Sequence, residues 1–406
     1  MNGAYWLTNV KLETGYEVEE NNVTGTLTEL FHIRIGDGKI QEIEAGSAVI
    51  ADELPQYDAK GLLLLPSFKD AHIHLDKTFY GGPWKAVRPA RTIFDRLQQE
   101  RELLPELISV SRERAEKLLE LLLSHGSTHV RSHVNIDPVS GLRLLEATKA
   151  ALSSYEGKVT AELVAFPQHG LLLSDSAASV KEAVLNGADF VGSVDPATID
   201  GDIERSLQKL FDIAVETGAG VDLHVHDSGE AGLNTLKRVA DLTDGAGWQG
   251  RVTVSHAFAF AANPQEEIQA LSQRFGKLGI SVASALPIGK LHMPIPMLTA
   301  DGVRVELGTD SVTDHWSPFG NGDNLEKVGR LAELYGRSNE LGLSQSLQYI
   351  TRGITPLDAQ GNQVWPAAGD EASIVLVKAS CSAEAVARRA ERVAVIHKGT
   401  LAWGTI

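Results

Sequence analysis

The chain is poor in several things that would point elsewhere. Of its 406 residues only Cys381 is a cysteine, which excludes an intrachain disulfide and leaves no C-x-x-C pair. The redox setting that fits is a reducing cytoplasm. Long apolar runs are missing as well; no stretch reaches the ~18 residues a spanning helix needs, so no membrane association is expected. The opening "MNGAYWLTNVKLETGYEVEE" has no basic segment followed by an apolar one and reads as a mature N-terminus rather than a signal peptide. Basic clusters are absent too: 53 acidic against 37 basic side chains give a formal charge of −16, which argues against a nucleic-acid partner. Neither short repeats nor low-complexity tracts occur. What is left, 43% hydrophobic and 22% charged residues, is ordinary globular composition on a chain long enough for more than one folded unit.

The two ends share one pattern. "YWLTNVKLE", "FHIRIGDGKIQEIEAG" and "YDAKGLLLLP" near the start, and "ASIVLVKAS" and "RVAVIHKGTLAWG" near the end, alternate apolar and polar residues with Gly-Asp-Gly and Lys-Gly turns. They predict one small β-sandwich domain built from residues 1–64 plus 356–406. Between them the rhythm changes. Short apolar runs such as "STHVRSHVNI", "TAELVAFPQHG", "GVDLHVHDSG", "RVTVSHAFAF" and "GVRVELGTDS" alternate with amphipathic stretches such as "DIERSLQKLFDIAVETG". Eight strand–helix alternations predict an α/β fold, a (β/α)8 TIM barrel over residues 65–355. The polar residues of nearly every such strand fall at its C-terminal end, where barrels of this kind carry their active sites.

"HIH" places His72 and His74 on one side of a strand, because the side-chain period is two. His224, ending another strand, offers a third imidazole, and Asp310, ending the last one, a carboxylate. Singly, each also reads as a structural hydrogen-bonding residue or a turn cap. Jointly, three His and one Asp at strand ends make a mononuclear site for one divalent metal ion, Zn or Fe, with Mn also compatible. Lys77 follows the first strand and reads as a surface or supporting cation. His226 shares the facing of His224 and either reaches the site or supports it, whereas His133 and His169 read as structural.

The ordered set "HIHLDKT", "FPQHG", "DLHVHDSG", "VSHAF", "LGTDS" and "HWSPFGNGD" resembles the amidohydrolase superfamily, and most of all its cytosine-deaminase group, along essentially the whole chain. The resemblance implies that His72, His74, His224 and Asp310 bind the metal, that His256 positions and polarises the attacking water, and that Gln168 and Trp316 hold the substrate ring. Two departures stand out. The family's His-x-x-Glu becomes His224 with Asp227, a carboxylate one methylene shorter, so that either the substrate sits differently, the loop moves inward, or Glu230 helps. A second Asp after the metal Asp becomes Ser311, which argues against cytosine itself. The fourth strand lacks the bridging Lys or Glu of binuclear members, so one metal is expected.

The expected chemistry is hydrolytic deamination of a nitrogen heterocycle, a cyclic amidine such as an aminopyrimidine, pterin or triazine. Asp310 takes a proton from the water and Asp227 gives one to a ring nitrogen. Gln168 and Ser311 would grip the substrate's polar edge, and Trp84, Phe79, Phe166 and Trp316 would stack on its flat face. Hydrolysis of a cyclic amide or of an N-alkylamine substituent is the alternative, and a catalytically silent ligand-binding barrel a second one. The partner is a small-molecule heterocycle; homo-oligomer formation is compatible with the sequence and not specified by it.

Overall fold

The computed structural model of the chain describes residues 3–262, 265–289 and 291–406. Five strands come first: Tyr5–Glu19 (β1), Asn22–Gly36 (β2), Lys39–Ala45 (β3), Gln56–Asp58 (β4) and Leu63–Pro66 (β5). Eight follow in the middle: Phe68–Ile73 (β6), Ser127–Asn135 (β7), Thr160–Phe166 (β8), Phe190–Val194 (β9), Gly220–His224 (β10), Val252–Ser255 (β11), Ser281–Ser284 (β12) and Val305–Leu307 (β13). Three close the chain: Ile374–Val377 (β14), Arg392–His397 (β15) and Thr400–Gly404 (β16).

The terminal strands form one sheet in the order β16-β15-β14-β5-β1-β2-β3, with β4 paired to β1. The two ends of the chain meet where β5 pairs antiparallel with β14, Leu65 opposite Val375. Alternate residues of both segments, among them Leu7, Ile33, Ile35, Leu64, Ile374 and Ile396, turn into a single apolar core, as a two-layered β domain requires. The run "LLLLP" therefore belongs to this sheet, and the barrel's first strand starts only at Phe68.

The middle strands are parallel and ordered β6 to β13 without interruption. Helices cover them on the outside, and the joint is filled by Leu, Val, Ile and Phe from both layers. The helix Ile203–Thr217 illustrates how the sequence sets its limits. Asp202 caps the first turn by accepting from the Arg205 N–H, and Gly218 leaves the last one in a left-handed conformation that costs a side-chain-bearing residue more.

The barrel closes between its last and first strands, through a bridge of Ile73 and Asp310. The Asp310 N–H donates to the His72 carbonyl at 2.7 Å. Gly308 makes this approach feasible: a Cβ there would lie 2.5 Å from the His72 nitrogen. Closure of the fold and assembly of the site are thus one event.

Candidate metal centre and active site

His72 and His74 end β6, His224 ends β10, and Asp310 follows β13. The Asp310 Oδ1 lies 3.5 Å from His72 Nε2 and 3.6 Å from His74 Nε2. The ligand atoms of His72, His74 and Asp310 lie within 4.8 Å of one another, and so do those of His72, His133 and His224. His72 Nε2 and both nitrogens of His224 are buried without a hydrogen-bond partner. Buried polar atoms are ordinarily satisfied, so a cluster of free nitrogens aimed at one space fits a divalent ion.

Electrostatics point the same way. Burial, aided by neighbouring cations and imidazoles, holds His74, His224 and His256 well below the usual imidazole range, so they are neutral and able to ligate. Desolvation pushes the Asp310 carboxyl up, but the adjacent imidazoles of His72, His256 and His74 hold it well below the usual carboxylate range. Asp195, His256 and Asp310 all sit at positive φ, 37°, 69° and 60°. Strain of that kind persists where the surroundings over-determine it, and functional sites are such places.

The tautomer of His72 is set from below. Its Nδ1 lies 2.8 Å from Ser255 Oγ, which donates at 2.7 Å to Asp222 Oδ1. The other Asp222 oxygen accepts from Arg131 at 2.9 Å. Since Ser255 spends its proton on Asp222, it accepts from His72 Nδ1–H and leaves Nε2 free for the ion.

Above the ligands opens a cavity of about 310 Å³, lined by Gln168, Asp195, His226, Asp227, His256, Ser311 and Trp316 among others. Its back wall rests on a buried ion pair. Lys77, 1% exposed, is no surface cation: its Nζ lies 3.0 Å from Glu100 Oε1 and donates to Asn135 Oδ1 at 3.1 Å and Gln168 Oε1 at 2.7 Å. Glu100 also accepts from Trp316 Nε1 at 2.8 Å and pairs with His169 Nε2 at 3.1 Å. Desolvation would raise the Glu100 carboxyl, yet Lys77 dominates and holds it ionised. Because an ammonium only donates, Gln168 must turn its oxygen to Lys77 and its NH2 away from it.

The remaining expected residues divide. Asp227 lines the cavity, but its carboxylate accepts from the backbone N–H of Thr198 at 3.2 Å and from the Thr198 hydroxyl, and burial pushes it up. His226, 41% exposed, places Nδ1 2.8 Å from Asp195 Oδ2, whose charge keeps the imidazole above its usual range against burial. Its ring stacks on His256 at 4.3 Å. Trp84 is 74% exposed and does not line the cavity, and Glu230 is exposed as well. Phe166 stacks on His224 at 4.1 Å, supporting the ligand, and Phe79 is buried. His133, read as structural, has both nitrogens free beside His72 and His224.

The family model for the amidohydrolase family matches residues 116–406. The chain belongs to the amidohydrolase family. Within it the chain falls in the cytosine-deaminase-like group, whose solved structures it matches along its whole length. It is 48% identical over 99% of its length to YahJ of Escherichia coli K12, covering 88% of that protein. The structure of N-isopropylammelide isopropylaminohydrolase from Burkholderia multivorans superposes with a TM-score of 0.86 at 31% identity, over 98% of both chains. That of 5-methylcytosine deaminase from Klebsiella pneumoniae superposes with a TM-score of 0.81 at 25% identity, over 99% of this chain and 98% of that one. As a member of the amidohydrolase family the protein is a hydrolase. No helix among the described residues is long and apolar enough to cross a membrane.

Proposed function

We propose that this amidohydrolase removes an amino group from a nitrogen heterocycle of the cyclic-amidine type, an aminopyrimidine, pterin or triazine, at one divalent metal ion held by His72, His74, His224 and Asp310. The observation that carries the reading is the convergence of free imidazole nitrogens and one carboxylate beneath a ring-sized cavity whose polar wall is Gln168. When bound, a Zn-, Fe- or Mn-type ion in such a site makes water a nucleophile at neutral pH.

The chain's own groups do the rest. Asp310 accepts the proton of the attacking water on the oxygen turned away from His72 and His74. His256, whose Nε2 is free, holds that water against the ring carbon. Gln168 donates its NH2 to a ring carbonyl or ring nitrogen, and Trp316, fixed by Glu100, lies along the ring face. Protonation of the ring nitrogen falls to the edge formed by Asp227 and His226. Asp195 keeps a proton on His226 and so supplies the reach that the shorter Asp227 lacks. Acid–base steps of this kind contribute about 10²–10⁴-fold. Ser311 offers a neutral hydroxyl to the leaving group.

A second reading, release of an alkylamine from a triazine-like ring, is favoured by the likeness to the Burkholderia isopropylaminohydrolase over nearly the full chain. The test is a panel of aminopyrimidines, pterins and N-alkylated triazines offered to apo-protein reconstituted with Zn²⁺, Fe²⁺ or Mn²⁺. Ammonia with a stoichiometry near one ion per chain supports deamination, and alkylamine supports the second reading. Neither product from any ring would leave a silent barrel.

A further inference from the structure

A second chamber adjoins the reaction cavity. It holds about 810 Å³ between the segment after β12 and the helix Asn324–Leu334, and it shares Asp310, Ser311 and Trp316 with the first. A bare six-membered ring needs none of this space. Its contents are chemically uneven. Ile288 and Phe319 form an apolar rim, 79% and 77% exposed. Two cations, Lys327 and Arg330, line the interior.

The acids of the chamber already have partners. Asp323 is bound by Arg392 at 2.5 Å, Glu326 by Arg330 at 2.5 Å, and Asp310 belongs to the metal set. Lys327 is different. Its Nζ donates to the Ala285 carbonyl at 2.8 Å, and among the described residues no carboxylate lies within ion-pair reach. Burial penalises this ammonium. A half-buried cation whose only carboxylates, Asp310, Asp70 and Glu326, act on it from beyond ion-pair contact is one that an incoming anion stabilises. The buried Lys77 shows the contrast, since Glu100 neutralises it within the fold.

We propose that the substrate heterocycle carries an anionic oxygen arm, a carboxylate or a phosphate, that passes Ser311 and Trp316 into this chamber and is bound by Lys327. The inference rests on the reading of the first cavity as a heterocycle site and names the substrate class for it. The ring would lie over the ligand cluster against Gln168. The arm would run along Trp316 to the ammonium, with the free edge of Arg330 beside it.

The test measures binding and turnover separately. Calorimetry on the Zn²⁺-reconstituted protein compares three matched pairs: pterin with pterin-6-carboxylate, cytosine with 5-carboxycytosine, and cytosine with 5-phosphonomethylcytosine. In at least one pair the acid is expected to bind about tenfold or more tighter than its neutral parent, and carboxylate and phosphonate arms are told apart by which pair shows it. In Lys327→Met that ratio should fall to within about twofold of one, while Lys327→Arg, which keeps the charge, should retain most of it. Equal affinity for acid and parent in every pair overturns the proposal. So does a preference that survives Lys327→Met, and so does failure of all five compounds to bind. Thermal melting of each variant identifies one that has not folded, and the Lys327→Arg and wild-type ratios then decide, since a preference unaffected by ~0.5 M salt also counts against an ion pair. An acid that binds preferentially but releases no ammonia leaves the arm site standing and removes deamination. Ammonia from a neutral parent with no preference for its acid does the opposite.

Discussion

The floor and the mouth of the barrel are both lined with polar side chains, and they treat them in opposite ways. On the floor Arg131 meets Glu162 at 3.0 Å and Asp222 at 2.9 Å, and Lys69 lies 3.3 Å from both Glu162 and Glu306. Each charge there has its opposite. At the mouth, His72, His133, His224 and His256 keep nitrogens with no hydrogen-bond partner. The two regions are joined by one chain of hydrogen bonds, Arg131–Asp222–Ser255–His72. Polarity alone therefore does not mark a functional site in this protein. A cluster of unsatisfied imidazoles does: single unpartnered atoms such as Glu13 Oε2, Thr148 Oγ1 and Ser272 Oγ occur elsewhere, but here neighbouring rings leave nitrogens unpaired together.

Breaking the mouth should have the largest effect. His224→Ala is expected to abolish stoichiometric metal binding, read by elemental analysis, and to exceed the ~10–100-fold loss that follows from removing a supporting residue. Its melting temperature should change far less than that of a floor variant. Arg131→Met should do the reverse. It strands Asp222 without its cation, leaves Glu162 with Lys69 alone, and is expected to cost about 3–5 kcal/mol in denaturant unfolding. If the floor variant proves neutral, the floor is not the closed network its distances describe.

Ser255→Ala tests the link. It should weaken Zn²⁺ affinity by about 10–100-fold in chelator competition, with a smaller change in stability than Arg131→Met, and Ser255→Thr should recover part of it. Unchanged affinity would mean that the floor does not orient His72.

A third satisfied cluster lies at the seam of the two domains and sharpens the comparison through pH. Burial, with Lys398 beside it, depresses the His397 imidazole from 6.5 to about 4. The folded state thus binds fewer protons than the unfolded one between these values, so stability is full above ~6.5 and falls as pH drops through that window. The melting temperature should decline between pH 7 and 4.5, and His397→Asn should flatten the decline. The smallest effect belongs to Trp84. Being 74% exposed and outside the cavity, its truncation to Ala should leave stability within about 0.5 kcal/mol and KM far less altered than truncation of Trp316 does.

Most of the architecture was legible from periodicity. The alternation of short apolar runs with amphipathic stretches marked the barrel, and the hairpin patterns at both ends marked one split β domain. The strand boundary after "LLLLP" was not, since a continuous apolar run carries no sign of which of two sheets it joins. Of the residues expected to ligate, His72, His74 and Asp310 lie together at the closing seam, and His224 lies beside His72 with His133, because strand ends of a barrel converge whatever lies between them. Lys77 and Glu100 were harder. Glu100 had one signal, a charge on the buried stripe of Leu97, Leu104 and Leu107 in the helix Ile93–Ser124. Only a cation delivered from another element makes such a position tolerable.

The sequence by itself determined the alternation of elements, the clustering of histidines and acids at strand ends, and the absence of chemistry based on thiols or basic patches. Those follow from residue type and spacing along one segment. The tertiary structure decided which of these groups remain free: that Asp227 turns to Thr198 while His226 leans on Asp195, that Gln168 spends its oxygen on Lys77, and that Lys327 finds no carboxylate in ion-pair contact among the described residues. The reason is physical. A hydrogen bond acts over about 3 Å, and the partners that use up or spare each group are 91 residues apart for Lys77 and Gln168 and 183 for His72 and Ser255.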